Sequence, residues 1–367
     1  MSNVIPLPVP RRITDPGDRL AAICACFAEE RRAGEDVFWL KETAELLNVL
    51  ETSGASLPDH ALAAFRPFYD GLEARLEFFP QYYRFLLSIA LDLEALGLEG
   101  ETAEHLVAQA ARADLPGAEL SDLQRMEARR LMARRGVEAL PEDAGLEARM
   151  RRFIARSDVF ALPNKKAAYE LTHVVFYLSE YGRRDPALCE GAITSLRHVG
   201  HLAWLERNAD LMAECCAALR FAGVTPPMLW TRWLADEVMS FRVEAGPSAT
   251  LADDYHVFLV CHWHRAIAEG RPCFDGVPVM EGRMAFLRGP VWSAPLKELS
   301  RCLYDLGAAR SGDWQTMRPI LDARLTDGAS DTLAAASEID GFERFFHLFA
   351  RSGPHDTGLA SLLERRA

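Results

Sequence analysis

The chain has 367 residues, 49% apolar and 26% charged, with 41 basic against 53 acidic side chains and a net charge of −12. That much apolar content argues against a disordered chain, and the acidic excess argues against a nucleic-acid partner, whose phosphates need clustered Lys and Arg. No apolar run approaches the ~18 residues needed to span a bilayer, so no membrane partner is expected.

The chain starts Met-Ser-Asn-Val-Ile-Pro-Leu-Pro-Val-Pro-Arg-Arg. Basic residues follow the apolar stretch here, the reverse of a secretory signal, and the prolines favour extended backbone; residues 1–15 read as an extended arm. Eight cysteines without CxxC spacing, several inside apolar helical runs, point to free thiols and a cytoplasmic location. Cys24 and Cys26 lie on opposite sides of an N-terminal helix and read as packing residues.

From residue 16 to 367 apolar residues recur every three or four positions and no convincing alternating run appears, which predicts one all-α domain. Helical stretches end at Gly54, Gly97, Gly136, Gly182, Gly223, Gly270, Gly307 and Gly353. Glycine just past a helix end enters the left-handed conformation without a Cβ clash. Successive stops are 43, 39, 46, 41, 47, 37 and 46 residues apart, the length of a helical hairpin with its turns.

The helices before these glycines share a pattern. Four positions before each glycine stand Leu50, Leu93, Met132, Leu178, Leu219, Ala266, Leu303 and Phe349; eight positions before stand Leu46, Ile89, Ala128, Val174, Cys215, His262, Leu299 and Phe345. With one exception these are apolar, a helical core stripe. Nine before, the character reverses to Glu45, Ser88, Glu127, His173, Glu214, Cys261, Glu298 and Arg344. Second helices over 58–79, 186–207 and 226–242 alternate with these, predicting inner and outer helices in an α/α toroid of about seven hairpins or, alternatively, an open α-solenoid. The stretch 271–292, with Pro272, Gly276, Pro278, Gly282, Gly289 and Pro290, reads as an irregular insertion.

Glu170 and His173 are three apart and share a helix face; Asp253 and His256 repeat the spacing. Asp210 and Glu214 begin the inner helix between them. Two imidazoles and a carboxylate suit zinc or iron with positions left open for substrate, so His173, His256 and Glu214 are the expected metal ligands. Glu214, Glu170 and Asp210 are the candidate catalytic carboxylates, with Asp253 as a further acceptor. Cys261-His262-Trp263-His264 offers at most one or two more ligands, because its side chains point around the helix. His198 and His201 fall on an outer helix and are expected at the surface, and Trp230 is expected in the core or at the rim. P-loop, GxGxxG, HExxH and GxSxG signatures are absent.

The phrase Glu170-Leu-Thr-His173-Val-Val-Phe-Tyr177-Leu-Ser-Glu-Tyr-Gly182 resembles a motif of uncharacterised bacterial all-helical families, and the Asp210 and Tyr255-His256 segments resemble its companions. The resemblance spans 165–265 and implies no activity. It implies that His173, Asp210 or Glu214, and His256 belong together. The expected function is metal-assisted catalysis on a small molecule or peptide in a polar, acidic lumen; the alternative is a helical-repeat scaffold for a protein or peptide partner.

Overall fold

A computed structural model describes residues 12–34, 36–289 and 295–351. The fold is all-α, and all eight helices expected before a glycine stop are present, from Val37–Thr52 to Phe342–Ala350. The seven described stop glycines have φ between 52° and 109°, the left-handed region that favours glycine; Gly353 lies outside the described residues. At Gly182 the constraint is double, because a Cβ there would also lie 2.5 Å from the Phe221 ring. Every residue of the columns four and eight before the stops is buried, His262 included.

The chain divides into two compact units that interleave along the sequence. The first comprises Met1–Glu119, Glu127–Leu140 and Val238–Gly289, and the second Leu120–Met126, Pro141–Glu237 and Pro290–Ala367. In the first, the Val37–Thr52 helix packs between the Tyr83–Ala95 and Tyr255–Glu269 helices. Arg31 lies in this core at 1% exposure. It donates to Glu42 at 2.8 Å, to both Asp253 oxygens at 2.9 and 3.0 Å, and to the Met284 carbonyl at 2.8 Å. Its guanidinium also stacks on Phe27, Tyr255 and Phe286.

In the second unit the Glu190–Glu206 helix is central, with twelve of its 17 residues buried. It packs on the helices Lys165–Leu178, Ala209–Phe221, Pro295–Leu306, Asp327–Ser337 and Phe342–Ala350. This corrects the surface placement of His198 and His201, which are 1% and 0% exposed. A helix covered on all sides has no solvent face, and Ala192, Leu196, Val199, Leu202, Ala203 and Leu205 make this one apolar nearly all round. Gly200 lets it approach the Trp230 ring, which a Cβ would meet at 2.3 Å.

Two other expectations are revised. The span 58–79 is three short helices, Asp59–Ala63, Arg66–Tyr69 and Leu72–Phe78. A continuous helix would drive the Pro67 ring into the carbonyl four residues earlier and lose an N–H bond. The 226–242 span is a helix only over Met228–Ser240, and a strand follows at Arg242–Ala245, antiparallel to Met284–Leu287 with Arg242 opposite Leu287. Four-residue strands are too short to show a two-residue period. Side chains add to the backbone ladder: Asp253 and Asp254 accept from the backbone N–H groups of Phe286 and Arg288. The insertion 271–292 is otherwise irregular where described, and 290–292 lie outside the described residues. Residues 1–11 of the N-terminal arm lie outside them as well.

Candidate functional site

Two helices of the second unit carry the sequence-predicted carboxylates and one of the histidines. Each begins at an asparagine cap, Asn164 accepting from Ala167 N and Asn208 from Leu211 N, both at 3.1 Å, which fixes where each helix starts. Counting from those caps, Tyr169, Thr172 and His173 fall on one face of the Lys165–Leu178 helix, and Asp210 and Glu214 lie one turn apart on the Ala209–Phe221 helix. The two helices pack together.

Within this pair, Tyr169 Oη donates to Asp210 Oδ2 at 2.8 Å and Thr172 Oγ1 lies 2.5 Å from Glu214 Oε2. Asp210 and Glu214 bring a carboxylate oxygen each to within 4.8 Å of one another. His173 Nδ1 is 3.9 Å from Glu214 Oε2 and makes its hydrogen bond to the Tyr169 carbonyl at 2.7 Å. A carbonyl carries no proton, so Nδ1 is the donor in this contact, and in the neutral ring Nε2 is the nitrogen with the lone pair. Burial, reinforced by the neighbouring Asp210 charge, pushes the Tyr169 phenol well above its ordinary range, so it stays a neutral donor. Thr172 and Glu214 are buried and His173 is half-buried.

Glu170 turns elsewhere. Its side chain is partly exposed and pairs with Lys166 at 3.8 Å, a helix-surface i,i+4 contact.

His256 belongs to the first unit, on the Tyr255–Glu269 helix, where its Nε2 is 3.6 Å from Glu45 Oε1. Tyr255 Oη donates to the other Glu45 oxygen at 2.9 Å, and Lys41 Nζ lies 3.7 Å from Oε1. Asp253, three residues before His256, is occupied instead by Arg31 and by Phe286 N. In the Cys261–His264 run all four residues are buried. The His262 ring packs at a tilt against Phe258 and Phe274, and burial pushes its pKa down to about 3, making it a neutral core residue.

Sequence reasoning missed Tyr169, Thr172 and the role of Glu45. The hydroxyls carry a readable signal, because Tyr169 and Thr172 stand four and one residues before His173 on the same helix. Glu45 stood in the polar column nine before the glycine. Elsewhere that column does structural work: Glu127 pairs with Arg84, and Glu298 accepts from Thr326 N and Oγ1 at the start of another helix.

Among the described residues no helix is long and apolar enough to cross a membrane. The chain belongs to DUF6902, a family described as a domain of unknown function, which matches residues 1–352. No curated protein and no solved structure matches it.

Proposed function

We propose that this DUF6902 member is a metal-assisted enzyme acting on a small molecule or peptide, with its centre between the Lys165–Leu178 and Ala209–Phe221 helices. One observation carries the reading: Asp210 and Glu214, one helical turn apart, bring carboxylate oxygens within 4.8 Å of one another, and the His173 ring lies beside Glu214, its Nδ1 3.9 Å from Oε2. Two ligand atoms on one divalent ion, each ~2 Å away, stand at most ~4 Å apart, so the carboxylates are near the required separation. Oxygen and imidazole donors suit zinc or ferrous iron.

A divalent ion held there supplies Lewis acidity, which polarises a carbonyl or acidifies water near neutral pH. His173 offers Nε2, because its other nitrogen is held by the Tyr169 carbonyl. Glu214 and Asp210 divide the roles of ligand and general base; a carboxylate within reach of the reacting proton meets the geometric requirement for the latter.

Metal analysis of protein purified without chelator, with His173→Ala, Glu214→Gln, Asp210→Asn and His256→Ala beside wild type, tests this. About one equivalent is expected in wild type and near zero in His173→Ala and Glu214→Gln, as loss of one of few ligands removes the site. His256→Ala, in the first unit, tests the remaining sequence-predicted ligand separately. Near-zero metal in every sample, wild type included, overturns the proposal and favours a helical-repeat scaffold.

A further inference from the structure

We infer that the single helical turn from Tyr169 to His173 presets the centre, with Tyr169 and Thr172 acting as positioning residues for Asp210 and Glu214. The inference rests on the metal reading above and adds how the donors are held.

Three polar contacts meet at Tyr169. Its hydroxyl donates to Asp210 Oδ2 at 2.8 Å, and its backbone carbonyl accepts from His173 Nδ1 at 2.7 Å and lies 2.9 Å from Thr172 Oγ1. Thr172 has one hydroxyl proton and two acceptors in reach, that carbonyl and Glu214 Oε2 at 2.5 Å. A carboxylate is the stronger acceptor and here also the nearer, so the proton is assigned to Glu214.

The consequence is geometric and electrostatic together. A carboxylate rotates freely about its last carbon–carbon bond unless one oxygen is held. Tyr169 and Thr172 each hold one oxygen, and they do so with a neutral hydroxyl that leaves the negative charge intact. The first unit offers the contrast, because there Arg31 fixes Glu42 and Asp253 with a guanidinium that offsets part of their charge. Neutral donors behind the carboxylates and a carbonyl behind the imidazole are the outer partners that orient metal ligands and set the histidine tautomer.

Zinc titration of the full chain against a chromophoric competitor tests this, using wild type, Tyr169→Phe, Thr172→Val, Thr172→Ser and Glu214→Gln. Tyr169→Phe and Thr172→Val are expected to weaken zinc binding by roughly 10–100-fold each, whereas Thr172→Ser, which restores the hydroxyl, stays within about 3-fold of wild type. Thr172→Ala replaces Thr172→Val if circular dichroism shows the latter misfolded, with the same expectation. A second readout needs no metal: ¹⁵N shifts of His173 in the apo protein at pH 8 are expected to show the Nδ1–H tautomer. If Tyr169→Phe and Thr172→Val bind zinc as wild type does while Glu214→Gln loses it, the positioning role falls and the centre stands. If wild type and Glu214→Gln alike bind none, both fall. An Nε2–H tautomer overturns the assignment at His173.

Discussion

The two units contain the same sequence phrase, a carboxylate three residues before a histidine, and use it differently. In the second unit Glu170 sits on the helix surface beside Lys166, while His173 lies near Glu214 of the Ala209–Phe221 helix. In the first, Asp253 is buried and gripped by Arg31, while His256 lies near Glu45. In neither unit does the carboxylate of the phrase serve its own histidine. Both partners, Glu45 and Glu214, come instead from the polar column nine positions before the glycine stop. Spacing within one helix places two residues on one face, but the neighbouring helix decides what that face meets.

The largest expected effect breaks the first unit's side of this comparison. Arg31→Met leaves Asp253 without its cation and Glu42 with Arg32 alone, and removing one partner of a buried pair costs about 3–5 kcal/mol. Urea unfolding followed by circular dichroism measures it. A loss under about 1 kcal/mol would mean that Arg32, which also reaches Glu42, takes over the whole role.

Acid probes one buried histidine in each unit. Burial pushes His201 in the second unit and His262 in the first down to about 3 from an ordinary 6.5. Neither His201 ring nitrogen has a hydrogen-bond partner among the described residues, and the ring packs on Trp230, Phe342 and Phe345. Both rings are neutral in the fold and take a proton on unfolding. The unfolded state therefore binds more protons, and stability present above pH 6.5 is lost as pH falls toward 3. At pH 5 the loss is about 2 kcal/mol per ring. His201→Leu and His262→Leu should each flatten the stability profile between pH 7 and 5 by that amount. Equal slopes in wild type and both variants would show that these rings do not carry the acid sensitivity.

Gly200→Ala sharpens the picture of the second unit by the sign of its effect. In an exposed helix interior the change stabilises by up to ~1 kcal/mol. Here the new methyl lands on the Trp230 ring, and overpacking of this kind costs about 1–3 kcal/mol. A higher thermal midpoint for Gly200→Ala would place Trp230 away from the Glu190–Glu206 helix.

What was legible in the sequence was local. A stop glycine and the core stripe before it lie on one helix, so the eight helices and their buried columns could be read directly from spacing. So could the nearness of His173 to Glu214, because both occupy the same column of successive glycine-stopped helices, which pack together. Features set by distant chain were not readable. Arg31 and Asp253 are 222 residues apart, and nothing near either announces the other. The burial of His198 and His201 depends on helices that wrap Glu190–Glu206 from far along the chain, and alternation of inner and outer helices misplaced them. The strand pair joins segments some forty residues apart and each is too short to show its period.

The smallest expected effect decides which carboxylate matters on the Lys165–Leu178 helix. Glu170 stood with Glu214 and Asp210 as a catalytic candidate because it precedes His173 by three. Its ion pair with Lys166 is half in solvent, at 3.8 Å, and pairs of this kind contribute about 0–0.5 kcal/mol. Glu170→Gln should therefore shift the urea midpoint barely at all and leave bound metal at the wild-type level, while Glu214→Gln in the same assay loses it. The contrast tests placement rather than charge, since the two substitutions remove the same group from helices in contact. Metal lost with Glu170→Gln would return the i,i+3 phrase to the site and make the column carboxylate its companion rather than its replacement.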